Sequence, residues 1–348
     1  MMRMKNIKKY LGLFLLLVIT GVMHSCIKEN LAENPEKNGT ANVNLVLSSR
    51  AGEFDGDEDI KTLRLLVIDN NGTINFNRQI NPTGLPNNSV SFTLVGLEMG
   101  SGTKNFYVIA NEESIGLDAA DFESNYAEKK QLHGDWQTEL KSLPIDEEDA
   151  YFPQQASGIG TSGLPITGYT EDFLIERDQN NHVEIDITYA VSKIKLKFVN
   201  ERPTKETVSN IIFQNVAPKG GTTLFDLSDL STSLPVGEGD AYLGDVAVPA
   251  ATGEQFGNAS SILYVYENQK SQDGYSFTAQ WNEKTQKVNL DNISFTDENG
   301  IPQKIGDLPR GRQLNITVTL KQGTVEGLDL TFEVIPWETK DIEVPPFQ

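Results

Sequence analysis

The sequence predicts an all-β protein built of antiparallel sandwiches. Three observations predict it. Apolar and polar residues alternate with period two in one stretch after another, many of them rich in Val, Ile, Thr, Phe and Tyr. Asn-Gly and Gly-rich breaks separate several of these stretches, at Asn70-Asn71-Gly72, Lys219-Gly220-Gly221 and Asn299-Gly300, where the chain can reverse. Helical pattern is scarce, with residues 117–132 the one segment compatible with a short helix.

The elements follow in chain order. Arg3, Lys5, Lys8 and Lys9 precede an uncharged apolar run over residues 11–22. A spanning helix needs about 20 such residues, so residues 1–25 are expected to be a secretory signal peptide. Cys26, the sole cysteine, follows it directly. One cysteine cannot form an internal disulfide. Its place after Met23-His24-Ser25 is that of a lipoprotein cleavage site, where the thiol takes a diacylglyceryl group. Acyl chains give firm attachment, each buried methylene contributing about 0.8 kcal/mol. The other reading is simple cleavage to a soluble protein. Lys28-Glu29 resembles a signal that routes some lipoproteins to the outer face of the outer membrane. Residues 26–41 are polar without apolar period and read as a flexible tether.

Strands are then expected around Val43, Leu45 and Leu47; Leu63, Leu65 and Val67; Val90, Phe92 and Leu94; and residues 106–110. Further strands are expected around Val183, Ile185 and Ile187, and over residues 211–213, 262–266, 275–279, 314–320 and 328–334. Ile194, Leu196 and Phe198 alternate with Lys193, Lys195 and Lys197, which puts the apolar three inside and the lysines in water. About 320 residues beyond the signal suggest two domains. The weakest composition, at residues 176–182, places the boundary: 42–182 for the N-terminal domain and 183–348 for the C-terminal one.

Charge narrows the partners. Removing residues 1–25 takes away four of the 29 basic residues and none of the 49 acids, moving the formal charge from −20 to −24. Such a surface repels nucleic acid and anionic lipid head groups. The sequence offers no catalytic set, no metal site and no cofactor motif. Of three histidines, His24 leaves with the signal, and no GxSxG, HExxH, CxxC or phosphate-cradling loop occurs. The acidic run at residues 55–59 has the look of a calcium loop, but the twelfth position counted from Asp55 is Leu66, not a bidentate acid. It reads as a solvated loop, and the chain is not expected to be an enzyme.

Two features point to processing and assembly. Arg50 ends the first strand and precedes a glycine-bearing acidic loop, an accessible place for a trypsin-like enzyme to cut between Arg50 and Ala51. The C-terminus is unusually apolar: Leu330, Phe332 and Val334 alternate with Thr331 and Glu333, and Ile342, Val344 and Phe347 follow. Such an end must bury itself, within its own domain or in another subunit.

The chain resembles the fimbrillin family, the subunits of the type V pili of Bacteroidales. The resemblance is carried by the signal with Cys26, the strands on either side of Arg50, Leu164-Pro165-Ile166-Thr167-Gly168, Ala190-Val191-Ser192-Lys193-Ile194, Leu263-Tyr264-Val265-Tyr266-Glu267-Asn268 and Val334-Ile335-Pro336-Trp337. It implies two tandem transthyretin-like sandwich domains, export as an outer-membrane lipoprotein, and cleavage after Arg50 by an Arg-specific, trypsin-like protease. It also implies polymerisation by donor-strand exchange with other copies or related pilins, supporting adhesion. In that scheme the strand holding Val43, Leu45 and Leu47 is displaced. Residues 328–347, with Leu330, Phe332, Val334, Ile342, Val344 and Phe347, supply the donor. The competing reading is a non-polymerising lipoprotein that binds glycans by stacking sugar rings on Trp136, Trp281 or Trp337.

Overall fold

The computed structural model describes residues 40–49, 60–80, 91–115, 119–145, 151–153, 163–218, 222–226, 234–292, 294–296, 302–321 and 329–336. They belong to one compact unit, Thr40–Gln348. Among them no helix is long and apolar enough to cross a membrane.

Strands dominate, as the alternation predicts; they are numbered here in chain order. A seven-stranded sheet runs β3 (Ile74–Ile80), β2 (Leu63–Asp69), β5 (Gly102–Ala110), β7 (Ile166–Ile175), β8 (Asn180–Tyr189), β1 (Thr40–Ser49), β4 (Ser91–Gly100). Its joint between β7 and β8 rests on two residue pairs, Ile166 with Tyr189 and Thr167 with Thr188. The order therefore divides there into β3-β2-β5-β7 and β8-β1-β4, whose apolar side chains share one core. Gly168 lies at the parting: a Cβ on it would stand 2.3 Å from the Asp186 carbonyl oxygen, so a side chain is excluded where β7 crosses β8.

The second half is a two-sheet sandwich. One sheet runs β18 (Asp329–Pro336), β17 (Arg312–Leu320), β9 (Val191–Asn200), β12 (Gly257–Tyr266), β6 (Tyr151–Pro153). The other runs β11 (Gly237–Val248), β10 (Glu206–Pro218), β13 (Ser276–Trp281), β14 (Lys284–Asn289). Ile194, Leu196 and Phe198 meet Ile211, Phe213 and Phe277 between them. A hairpin of β15 (Ser294–Thr296) and β16 (Pro302–Lys304), the short helices α1 (Ala119–Asn125) and α2 (Trp136–Lys141), and 3-10 turns at Glu112–Ile115 and Leu290–Asn292 complete the described elements.

Local chemistry explains the register. Gly72, at φ 88°, closes the β2–β3 turn and donates its N–H to the Asp69 carbonyl at 2.8 Å. β2 is buried along nearly its whole length, as befits an interior strand covered on both faces. The two other expected breaks, Lys219-Gly220-Gly221 and Asn299-Gly300, and the acidic run at 55–59 lie outside the described residues.

The two cores are pressed together. β12 alternates between them: Leu263 and Val265 enter the second core, while Ile262, Tyr264 and Tyr266 enter the first. A strap from the β10–β11 connection, residues 222–226, buries Leu224 and Phe225 in the first core. Phe225 packs edge-on against Tyr107 and Tyr169, at 5.4 and 5.8 Å between ring centroids. This corrects one sequence expectation. Lys197 is exposed and Lys195 half-buried, but Lys193 is only 3% exposed. Its register partner on β12 is Tyr264, one of the residues that enter the first core, so this end of β9 is covered. Residues 176–179 connect β7 to β8, and β8 spans the expected division between 182 and 183 while pairing within the first sheet.

Candidate assembly site: the slot of the first strand

β1 is an interior strand although it is the first of the compact unit. It lies parallel to β8, from Asn42 beside Asn180 to Ser49 beside Ile187, and antiparallel to β4, from Thr40 beside Gly100 to Ser48 beside Ser91. Parallel neighbours so placed need a long connection, and here the rest of the first half lies between them. Val43, Leu45 and Leu47 are fully buried and Ala41 nearly so. Asn42 is exposed, and Asn44 and Val46 are half-buried on the opposite face. This is the alternation that the sequence predicts.

The magnitudes set what removal costs. A fully buried Val or Leu contributes about 1.5–3 kcal/mol, so the three large side chains together contribute about 5–9 kcal/mol. A domain is typically stable by about 5–15 kcal/mol. Taking β1 out would also unpair the facing backbone groups of β8 and leave β4 without its ladder partner, because among the described residues β4 pairs with β1 alone. Such a slot is a template for another strand.

The strand ends at Ser49, the residue before Arg50. Arg50 and Ala51 lie outside the described residues, as do Cys26, Ile342, Val344, Phe347 and Trp337. Leu330, Phe332 and Val334 belong to β18, at the edge of its sheet, in register with Val318, Ile316 and Leu314 of β17. Among the described residues β18 has one ladder partner, β17 of its own chain. The two tryptophans within reach of description are not surface platforms. Trp136 and Trp281 are 8% and 7% exposed. Trp281 donates its indole N–H to Glu206 at 3.0 Å and lies under the Arg202 guanidinium, 5.3 Å from the ring centroid. Burial raises the Glu206 pKa, but the Thr204 hydroxyl, the Trp281 indole and the Arg202 charge outweigh it and hold the carboxyl below its ordinary value. Among the described residues no group of three or more His, Cys, Asp or Glu is placed to hold a metal ion.

The short motifs gather at the joint between the two cores. The Leu164 carbonyl accepts the Asn111 amide at 2.7 Å, and the Pro165 carbonyl accepts the Ala190 N–H at 2.9 Å. Thr167 donates its hydroxyl to the Leu224 carbonyl at 2.9 Å. The Val191 carbonyl accepts the Gly311 N–H at 2.9 Å, and Ser192 donates to the Pro309 carbonyl at 2.5 Å. Glu267 pairs with Arg310, both side chains 3% exposed, and accepts the Thr222 hydroxyl at 2.8 Å. Arg310 also donates to the Thr223 carbonyl at 3.0 Å. Of these, the Thr167 bond to the Leu224 carbonyl and the Arg310 contact with the Thr167 hydroxyl join one half to the other, a role that sequence reasoning did not give them. It also missed the buried Arg64, which donates to Glu112 at 2.6 Å and Asn77 at 2.9 Å and ties β2 to β3. A lone basic residue within an apolar strand, Arg64 in Leu63–Val67, was the available signal.

Over 85% of this chain and 100% of the other, the structure is similar to the tip fimbrial protein Mfa3 from Porphyromonas gingivalis with C-terminal truncation, at a TM-score of 0.53 and 12% identity. A candidate cell adhesion protein from Parabacteroides distasonis matches at a TM-score of 0.52 and 13% identity, over 86% of this chain and 98% of that one. These likenesses establish the fold. Residues 41–152 match the family model of the major fimbrial subunit protein, FimA. That segment carries β1 and its partner β4. No curated protein matches it.

Proposed function

We propose that the chain is a fimbrial subunit that assembles by exchanging β1 for a strand of another subunit. It is exported as a lipoprotein through Cys26, delivered to the outer surface of the outer membrane, and cut after Arg50 by an Arg-specific protease. Cleavage severs β1 and its lipid from the body, whose new N-terminus is Ala51. The vacated slot takes an extended strand by β-augmentation. The chain's own C-terminal stretch, residues 328–347, serves as donor to a neighbour. Because slot and donor are different surfaces, the contact is head-to-tail and builds a filament.

The observation that carries this reading is the place of β1. It is buried, paired on both sides, and ends one residue before the arginine. A strand with the same spacing of apolar residues can replace it without further change in the body. The match of residues 41–152 to the major fimbrial subunit family model supports a structural role at the cell surface.

N-terminal sequencing of the surface form tests the processing step: Ala51 is expected, and Arg50→Ala should leave an uncut, acylated chain without fibres. Truncation at Leu328 should abolish onward polymerisation. Normal fibres from both variants would overturn the proposal.

A further inference from the structure

One wall of the slot is charged. β8 alternates buried Val183, Ile185 and Ile187 with exposed His182, Glu184 and Asp186. His182 and Glu184 are 55% and 76% exposed and 3.3 Å apart. The parallel register sets Asn44 beside His182, Val46 beside Glu184 and Ser48 beside Asp186. The plug contributes no charge in return. In a chain with 49 acids and 29 bases, Thr40–Ser49 has neither.

We propose that the slot selects its incoming strand by outer-face charge, taking a strand of a related subunit that is neutral or basic beside Glu184 in preference to this chain's own residues 328–336. This deepens the strand-exchange reading and rests on it. The own stretch is Leu328-Asp329-Leu330-Thr331-Phe332-Glu333-Val334-Ile335-Pro336. Laid along the direction of β1, with Leu328, Leu330, Phe332 and Val334 at the places of Ala41, Val43, Leu45 and Leu47, it sets Glu333 beside Glu184. Reversed, with the same four residues inside, it sets Asp329 there. Sliding the forward strand by two residues brings Pro336 to the place of Leu47, between two ladder partners, where proline has no N–H to give. A carboxylate directly opposite another is unfavourable, by up to about fivefold in the equilibrium per pair. Salt weakens the effect. The apolar positions give the slot its affinity for any alternating strand; the outer face decides between strands that satisfy them equally.

Two measurements test this. In the uncut chain, Val46→Lys and Val46→Glu lose the same packing and differ in charge beside Glu184. Denaturant titration should give the lysine variant up to about fivefold the folded-to-unfolded ratio of the glutamate variant, and Glu184→Gln should remove the difference. Equal ratios would overturn the proposal. In the cut chain, synthetic peptides compete for the slot against a labelled 41–49 fragment. The 328–336 peptide carrying Glu333→Lys should displace it several-fold better than the unaltered peptide. Equal displacement by both also overturns the charge rule. Failure of every peptide, unlabelled 41–49 included, would overturn strand exchange itself and this proposal with it, an outcome distinct from uptake without discrimination.

Discussion

Replacing Glu267 with glutamine is expected to destabilise the protein by several kilocalories per mole through a charge it does not itself carry. Glu267 is the counter-ion of Arg310, and both side chains are 3% exposed. Arg310 keeps backbone acceptors, the Thr223 carbonyl at 3.0 Å and the Leu224 carbonyl at 3.4 Å, but its Nε has no partner among the described residues. Glutamine preserves the shape at position 267 and removes the negative charge, leaving a buried guanidinium uncompensated. Breaking a buried pair in this way costs about 3–5 kcal/mol, whereas replacing both partners with apolar residues is often neutral or better. Urea titration followed by fluorescence reads the outcome at two places, since Trp136 sits in the first core and Trp281 in the second. The wild-type transitions should coincide, because Thr167, Leu224, Glu267 and Arg310 tie the cores together. Glu267→Gln should lower stability and separate the two transitions, and Glu267→Leu with Arg310→Met should recover most of the loss. A loss below about 1 kcal/mol, within the range of an exposed pair, would refute the reasoning. So would a double variant no better than the single one.

Other outcomes follow from the same geometry. Leu45→Ala opens a cavity beneath β1 and should cost about 2–5 kcal/mol by denaturant titration. Gly168→Ala drives a methyl group into the Asp186 carbonyl, so a loss of about 1–3 kcal/mol and altered amide exchange at the β7–β8 joint are expected. Glu206, held below its ordinary value of 4.5, contributes stability that is complete above that value and is lost as pH falls through the lower folded value. Glu206→Gln should therefore flatten the decline in stability below about pH 5, measured by denaturant titration across pH.

Strand positions were legible where one face meets a core and the other meets water. β1, β8 and β17 satisfy that condition, and their alternation places them within a few residues of their observed bounds. Legibility fails where an element serves two cores. β12 shows six buried residues in a row, because both its faces are covered. Lys193 breaks the solvent-facing pattern of β9 for a related reason, since it stands opposite Tyr264. β14, Lys284–Asn289, is a polar edge strand and carries little apolar signal at all. The motif residues were visible as motifs, but their meeting was not. Thr167, Thr222, Glu267 and Arg310 come together through contacts spanning 43 to 143 residues, which local patterning does not encode. In the slot, the buried face of β1 could be read from the sequence. Its interior position between β8 and β4 could not, because sheet order is not a local property.

That sheet order bears on how exchange would proceed. Among the described residues β4 hydrogen-bonds to β1 and to no other strand, so the slot has one wall, β8, fixed by the sheet and another, β4, held in place by its occupant. If β1 left before a donor arrived, β4 would lose its ladder and the core would lose about 5–9 kcal/mol of burial, comparable with the whole stability of a typical domain. An empty slot is therefore a poor intermediate. The cheaper route keeps the severed strand bound by its two ladders and its four inward side chains until an incoming strand displaces it residue by residue. On that route cleavage permits exchange without opening the core. The rate of assembly should then depend on donor concentration, and a weakened plug such as Leu45→Ala should assemble faster than wild type after cutting. A rate independent of donor concentration and set only by loss of the plug would instead mean that the emptied slot survives long enough to wait.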